Sequence, residues 1–187
     1  MADGTLIAID DALVAQVNIL GDALRARQWR LATAESCTGG LLAGTCTAPA
    51  GASDWFAAGF VTYANDAKSG LLGVPDALIR AHGAVSSEVA DAMARGALAH
   101  AGVQLALSVT GIAGPGGGSA AKPVGTVWLG LAWLHARETQ EGLPAGGDAP
   151  LVRSRTERLN LEGDRASIRA QTVAIALQRL VDTAGLS

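Results

Sequence analysis

The sequence predicts an α/β fold. We read one domain over residues 1–187, a three-layer α/β/α sandwich on a mixed, mostly parallel sheet of five or six strands. Three observations carry this expectation. Short apolar runs of strand length alternate with longer segments of helical periodicity. The run Leu105–Val109 (LALSV) is apolar enough to lie at the centre of a sheet covered on both faces. Two later runs, Gly125–Trp133 and Leu151–Leu161, follow one another with no helical segment between them, as in an antiparallel hairpin.

In chain order, Asp10–Arg27 places Leu13, Val17, Leu20 and Leu24 at spacings of 4, 3 and 4, the stripe of an amphipathic helix. Arg30–Ala34 follows as a short strand, and Gly39–Thr47 as a helix of small residues ending ahead of Pro49. Ala57–Tyr63 is a second strand. Asn65–Leu72 and Pro75–His82 are two short helices divided by GVP, with Asn65 expected as a cap and Pro75 at a first helical position. Ser86 or Ser87 caps the next helix, which runs to Ala101 and stops at Gly102. After the central strand and a glycine-rich loop comes the hairpin, its own connection being the polar His135–Pro150 segment. Its second strand is more polar and suits a sheet edge. The last helix, Asp164–Ala184, buries Val173, Leu177, Leu180 and Ala184 and ends at Gly185.

Composition narrows the function classes. Fourteen Lys and Arg against 17 Asp and Glu give a net charge of −3, which excludes a strongly basic nucleic-acid binder. The N-terminus lacks the basic and apolar regions of a signal peptide. Gly96–Ala121 contains no Asp, Glu, Lys or Arg, but SVTG and GPGGGS interrupt it, so no membrane span is expected. Cys37 and Cys46 have no metal-ligand spacing, and His82, His100 and His135 are scattered, so neither a metal nor a cofactor is expected. The expectation is a soluble cytoplasmic protein with reduced cysteines. Only Lys68 and Lys122 are lysines and only Tyr63 is a tyrosine, in a chain that otherwise uses arginine.

Three segments can carry chemistry. In AESCTGG (34–40) a strand hands over to a helix, and Ser36 there can be a nucleophile with the backbone of Cys37, Thr38, Gly39 and Gly40 as donors to an oxyanion. Equally, Ser36 or Thr38 can simply cap the helix, and Cys37 is a rival nucleophile. In Tyr63–Lys68, a lysine neutralised by burial can serve as the base, with Tyr63 orienting it or relaying a proton; a plain surface lysine is the alternative. In Thr110–Ser119, followed by Lys122, the glycines let backbone amides approach a phosphate or amide, or merely make a flexible connection. Neither a Walker loop nor a dinucleotide fingerprint is present. Arg165 and Arg169, one turn apart, suit a carboxylate or phosphate partner.

Together AESCTGG, VTYANDAKSGLLGV (61–74), GAVSSEVADAMARGA (83–97), SVTGIAGPGGG (108–118), KPVGTVW (122–128) and GDRASIR (163–169) resemble the CinA C-terminal domain family, in order and over nearly the whole chain. Its stand-alone members, of the PncC type, are nicotinamide-nucleotide amidohydrolases. The resemblance implies conversion of nicotinamide mononucleotide to nicotinic acid mononucleotide and ammonia by a serine-lysine amidase. It implies Ser36 as nucleophile, Lys68 as base and Tyr63 beside them. Cys37, Thr38, Gly39, Gly40, Thr110, Gly111, Gly114, Gly116 and Lys122 would line the substrate pocket, and Arg165 would meet the phosphate or fix the site. A homodimer is expected on family grounds. Larger members carry a further N-terminal domain, for which 187 residues leave no room. The His135–Pro150 segment is longer than the family pattern. Two other readings stay open: a pyridine-nucleotide-binding regulatory module without turnover, and an amidohydrolase acting on a different nucleotide.

Overall fold

The structure is a computed structural model, and it describes residues 10–135 and 151–185. Helix α1 (Asp11–Ala26) begins at Asp10, whose carboxylate accepts the Leu13 amide, so one of the free N–H groups of the first turn is satisfied. Strand β1 (Leu31–Glu35) is buried throughout. It leads through a turn to α2 (Leu41–Cys46), then a single 3₁₀ turn and β2 (Phe56–Val61). Helices α3 (Asn65–Leu72), α4 (Asp76–His82) and α5 (Ser87–Ala101) precede β3 (Leu105–Gly111). Strands β4 (Thr126–His135) and β5 (Leu151–Asn160) form the expected hairpin, and α6 (Arg165–Gly185) closes the chain. The rest of the expected 135–150 connection lies outside the described residues.

The sheet order is β2-β1-β3-β4-β5. The β1–β2 and β1–β3 pairings are parallel, while β3–β4 and β4–β5 are antiparallel. The sandwich is therefore mixed as expected, with the parallel share half rather than most. β3 is the middle strand and β5 an edge, as their polarity predicts.

Side chains divide the sheet into two unequal faces. Leu31, Leu105, Leu107, Val109, Leu129 and Leu131 pack with α1, α2 and α6 in one core. Ala32, Ala34, Ala106 and Ala132 meet α3, α4 and α5 in the other. Period-two alternation of large and small residues thus produces a bulky face and a flat one. The flat face lets α5 come close. A Cβ at Gly130 would lie 2.3 Å from the Ala90 carbonyl oxygen of α5, and the Ser108 hydroxyl donates to that same oxygen at 2.6 Å.

Two expected caps move by one residue. Ala64, not Asn65, is the N-cap of α3, and no side chain bonds the helix there. Pro75 is the N-cap of α4, with ψ 129° and its carbonyl accepting the Leu78 and Ile79 amides, so the helix starts at Asp76. Ser86 caps α5 as expected, accepting the Val89 amide, and Gly102 closes it at φ 61°.

The chain leaves β1 across one face through α2 and returns to β3 across the other through α3, α4 and α5. The C-terminal ends of β1 and β3 therefore border the crevice where ligands gather in open α/β sheets.

Candidate active site

Ser36 follows β1 at that point. Its amide donates to the Val109 carbonyl of β3 at 2.9 Å, and the Gly39 amide closes the turn on the Ser36 carbonyl at 3.1 Å. Gly39 and Gly40 lie at φ 61° and 95°, left-handed values that bring the chain sharply into α2.

Beneath the turn sits Glu35, fully buried. Its carboxylate accepts the amides of Gly40 (3.0 Å), Leu42 (3.1 Å) and Ala43 (2.8 Å). Three donors at the start of α2 are thereby occupied, so Gly40 cannot offer its amide to a substrate. The amides of Cys37 and Thr38 donate to no other residue among the described residues. The set of backbone donors expected at Cys37–Gly40 reduces to those two.

On the other side of Ser36, the Thr62 amide donates to the Glu35 carbonyl at 2.8 Å, continuing the β1–β2 ladder and fixing the start of the α3 segment. Lys68, one turn into α3, is 1% exposed. Its Nζ lies 3.2 Å from Ser36 Oγ, 2.8 Å from the Thr62 carbonyl oxygen and 3.3 Å from that of Tyr63. No carboxylate pairs with it among the described residues. Burial lowers its pKa from the ordinary lysine value, opposed only by the charge of the neighbouring Cys37 sulfur when ionised.

Cys37 behaves in the opposite sense. Burial pushes its thiol up to about 11, and the nearby Glu35 charge adds to this, against lowering by its own backbone amide, Arg169 and Arg165. At neutral pH it is a thiol and a poor nucleophile.

Tyr63 is 61% exposed. Its contact with Lys68 runs through the backbone carbonyl, while its hydroxyl accepts a hydrogen bond from Arg165 at 3.3 Å. Arg165 also donates to the Gly114 carbonyl at 2.9 Å, joining α6, the glycine-rich loop and Tyr63. Arg169 donates to the Thr38 carbonyl at 2.9 Å, and its Nε is buried without a partner among the described residues. Both arginines meet backbone carbonyls where the sequence suggested a carboxylate or a phosphate.

Of the remaining expected pocket residues, Thr110 and Lys122 have structural partners. Thr110 is buried and its hydroxyl donates to the Ala84 carbonyl at 2.8 Å. Lys122 Nζ donates to the carbonyls of His82 (2.9 Å) and Val85 (2.7 Å). The two side chains thus tie down the segment between α4 and α5. Gly111 lies in β3, where a Cβ would meet Val127 at 2.7 Å, and Gly116 is exposed with open space beside it.

Two concavities lie elsewhere. One, of about 680 Å³, runs between β5 and α6 past Arg155, Glu157 and Arg179; the other, of about 260 Å³, is bordered by His82, Lys122, Trp128 and Arg158. Neither includes Ser36 or Lys68. Among the described residues no three His, Cys, Asp or Glu side chains converge as metal ligands, and no helix is long and apolar enough to cross a membrane.

The sequence reading missed Glu35 and Thr62. A glutamate at the end of a strand of Leu, Ala and Thr is a visible anomaly, but its three partners emerge only once the turn is formed.

The CinA C-terminal domain family profile matches residues 14–157. The chain belongs to this family. It is 47% identical over 171 residues to the nicotinamide-nucleotide amidohydrolase PncC of Pseudomonas putida, covering 91% of this chain and 96% of that protein. It is likewise 47% identical over 159 residues to the protein of the same name from Enterobacter agglomerans, covering 85% of this chain and 87% of that one. Among CinA-family crystal structures, the competence/damage inducible protein CihA of Agrobacterium tumefaciens superposes with a TM-score of 0.80 at 37% identity, over 94% of this chain and 98% of its own. The arrangement of Ser36, Lys68 and the free turn amides thus stands in a family fold of the same extent.

Proposed function

We propose that this CinA-family chain is a nicotinamide-nucleotide amidohydrolase, which hydrolyses the carboxamide of nicotinamide mononucleotide to nicotinic acid mononucleotide and ammonia. The observation that carries the chemistry is the buried Lys68, without a carboxylate partner among the described residues and with Nζ 3.2 Å from Ser36 Oγ. The PncC relatives supply the substrate class.

With two N–H bonds directed at the Thr62 and Tyr63 carbonyls, the lone pair of a neutral Lys68 faces the Ser36 hydroxyl. Lys68 takes the Ser36 proton as Oγ bonds to the carboxamide carbon, and the carbonyl electrons move onto oxygen. The Cys37 and Thr38 amides receive that oxyanion. As the intermediate collapses, the C–N bond breaks and the Lys68 ammonium gives its proton to the departing nitrogen, which leaves as ammonia. Neutral again, Lys68 takes a proton from water, whose oxygen attacks the ester. Lys68 then returns the proton to Ser36 Oγ as the acid is released. Tyr63 positions Lys68 through its carbonyl, and Arg165 beside the Tyr63 hydroxyl is the cation for the nucleotide phosphate.

Ammonia release from nicotinamide mononucleotide, nicotinamide, its riboside and the dinucleotide tests the substrate assignment. The mononucleotide is expected to have the highest kcat/KM, and Arg165→Ala to lower it about 10- to 100-fold, mainly through KM, as loss of a charged hydrogen bond to phosphate does. Tight mononucleotide binding by the intact protein without ammonia release would instead make this a regulatory module.

A further inference from the structure

We infer that Glu35 is a positioning residue for the hydrolysis, setting the oxyanion-binding turn by holding the start of α2 from beneath. The inference rests on the serine-amidase reading above. Glu35 is the residue before Ser36, yet its side chain points away from the reacting groups into the protein and is fully buried. A buried carboxylate is tolerated only when hydrogen bonds replace its water. Here one oxygen accepts from Gly40 and Leu42, and the other from Ala43. These donors lie five, seven and eight residues away, so the carboxylate fixes both the far end of the turn and the first residues of α2 to the end of β1.

The consequence for chemistry is a division of labour among amides. Those of Gly40, Leu42 and Ala43 are consumed structurally. Those of Cys37 and Thr38 donate to no other residue among the described residues, in the short arc between Ser36 and the anchored Gly40. Above the turn, Arg169 draws on the Thr38 carbonyl, the opposite pole of the peptide that follows the free Thr38 amide. The turn is thereby pinned on both sides while two amides stay open. An oxyanion hole preorganised in this way gains little from ground-state binding and much from the charge that develops at the transition state.

Glu35→Gln separates this role from simple support. The glutamine is isosteric, but its NH₂ group meets an amide N–H where a carboxylate oxygen stood, so the turn must shift. Because a displacement of about 1 Å costs on the order of 10²-fold in rate, kcat for ammonia release from nicotinamide mononucleotide should fall by about that factor. Binding of the mononucleotide should not follow. Measured by calorimetry in a Ser36→Ala background, the added Glu35→Gln should leave Kd within about threefold, under 1 kcal/mol. Glu35→Asp keeps the charge but spans fewer of the three amides; it carries the same two measurements if the glutamine variant does not fold. Wild-type kcat in the folded variant, or an equal loss in kcat and Kd, overturns the inference. Activity retained by Ser36→Ala alone would fail the serine-nucleophile reading itself, a result distinguishable from either.

Discussion

At the scale of single residues, reactivity follows from burial acting on groups of different charge type. Among the described residues Ser36 has no histidine partner; its neighbour is an amine whose cationic form is disfavoured by desolvation. A lysine with a lowered pKa is a base only when deprotonated, so kcat/KM should rise with pH and level off, with a midpoint below the ordinary lysine value of about 10.4. A profile that rises only above that value would contradict the base role of Lys68. Lys68→Arg should abolish turnover, because arginine keeps its proton at every accessible pH. The same burial that readies the amine disables the neighbouring thiol. Cys37→Ala keeps the backbone amide and should retain ammonia release within about threefold, less than 1 kcal/mol of barrier. Ser36, Lys68 and Tyr63 were visible in the sequence because residue type and family motif agree. The contact of the Tyr63 carbonyl with Lys68 was not visible, since a side-chain motif says nothing of a backbone acceptor. Thr110 and Lys122 were equally visible as polar groups near a glycine-rich loop, but their hydroxyl and ammonium are spent on the carbonyls of Ala84, His82 and Val85.

At the scale of elements, the site depends on how closely α5 lies on the sheet. Gly130 of β4 and Ser108 of β3 both meet the Ala90 carbonyl. Gly130→Ala should cost about 1–3 kcal/mol in chemical denaturation, because the new methyl would force α5 outward from a packed face. No loss of stability would mean that α5 is free to move. Farther along the same helix, a Cβ at Gly96 would lie 2.1 Å from the Leu72 carbonyl oxygen at the end of α3, so α5 also seats the helix that carries Lys68. The segment ahead of α5 is fastened by Lys122, and Lys122→Met should lower stability by about 1–3 kcal/mol through two unpaired carbonyls. Helix periodicity and the Ser86 cap made α1, α5 and α6 legible. The cap of α3 and the start of α4 were displaced by one residue, because Ala64 and Pro75 supply extended backbone with an accepting carbonyl, which no side-chain preference announces.

At the scale of the whole molecule, alternating large and small residues make one thick core and one thin one, and the chain crosses from one face to the other around β1. That crossing puts the end of β1 between α2 and α3, where Ser36 and Lys68 meet. The three-layer architecture was readable from the order of periodic segments. The equal division between parallel and antiparallel pairing was less so, since it depends on β4 turning back beside β3 after a loop of glycines. The most direct measurement is ammonia release from nicotinamide mononucleotide by Ser36→Ala beside the wild-type protein. The account predicts rapid release by the wild type and a loss of at least about 10³-fold in the variant, as removal of a covalent nucleophile produces. Wild-type release by Ser36→Ala would contradict it.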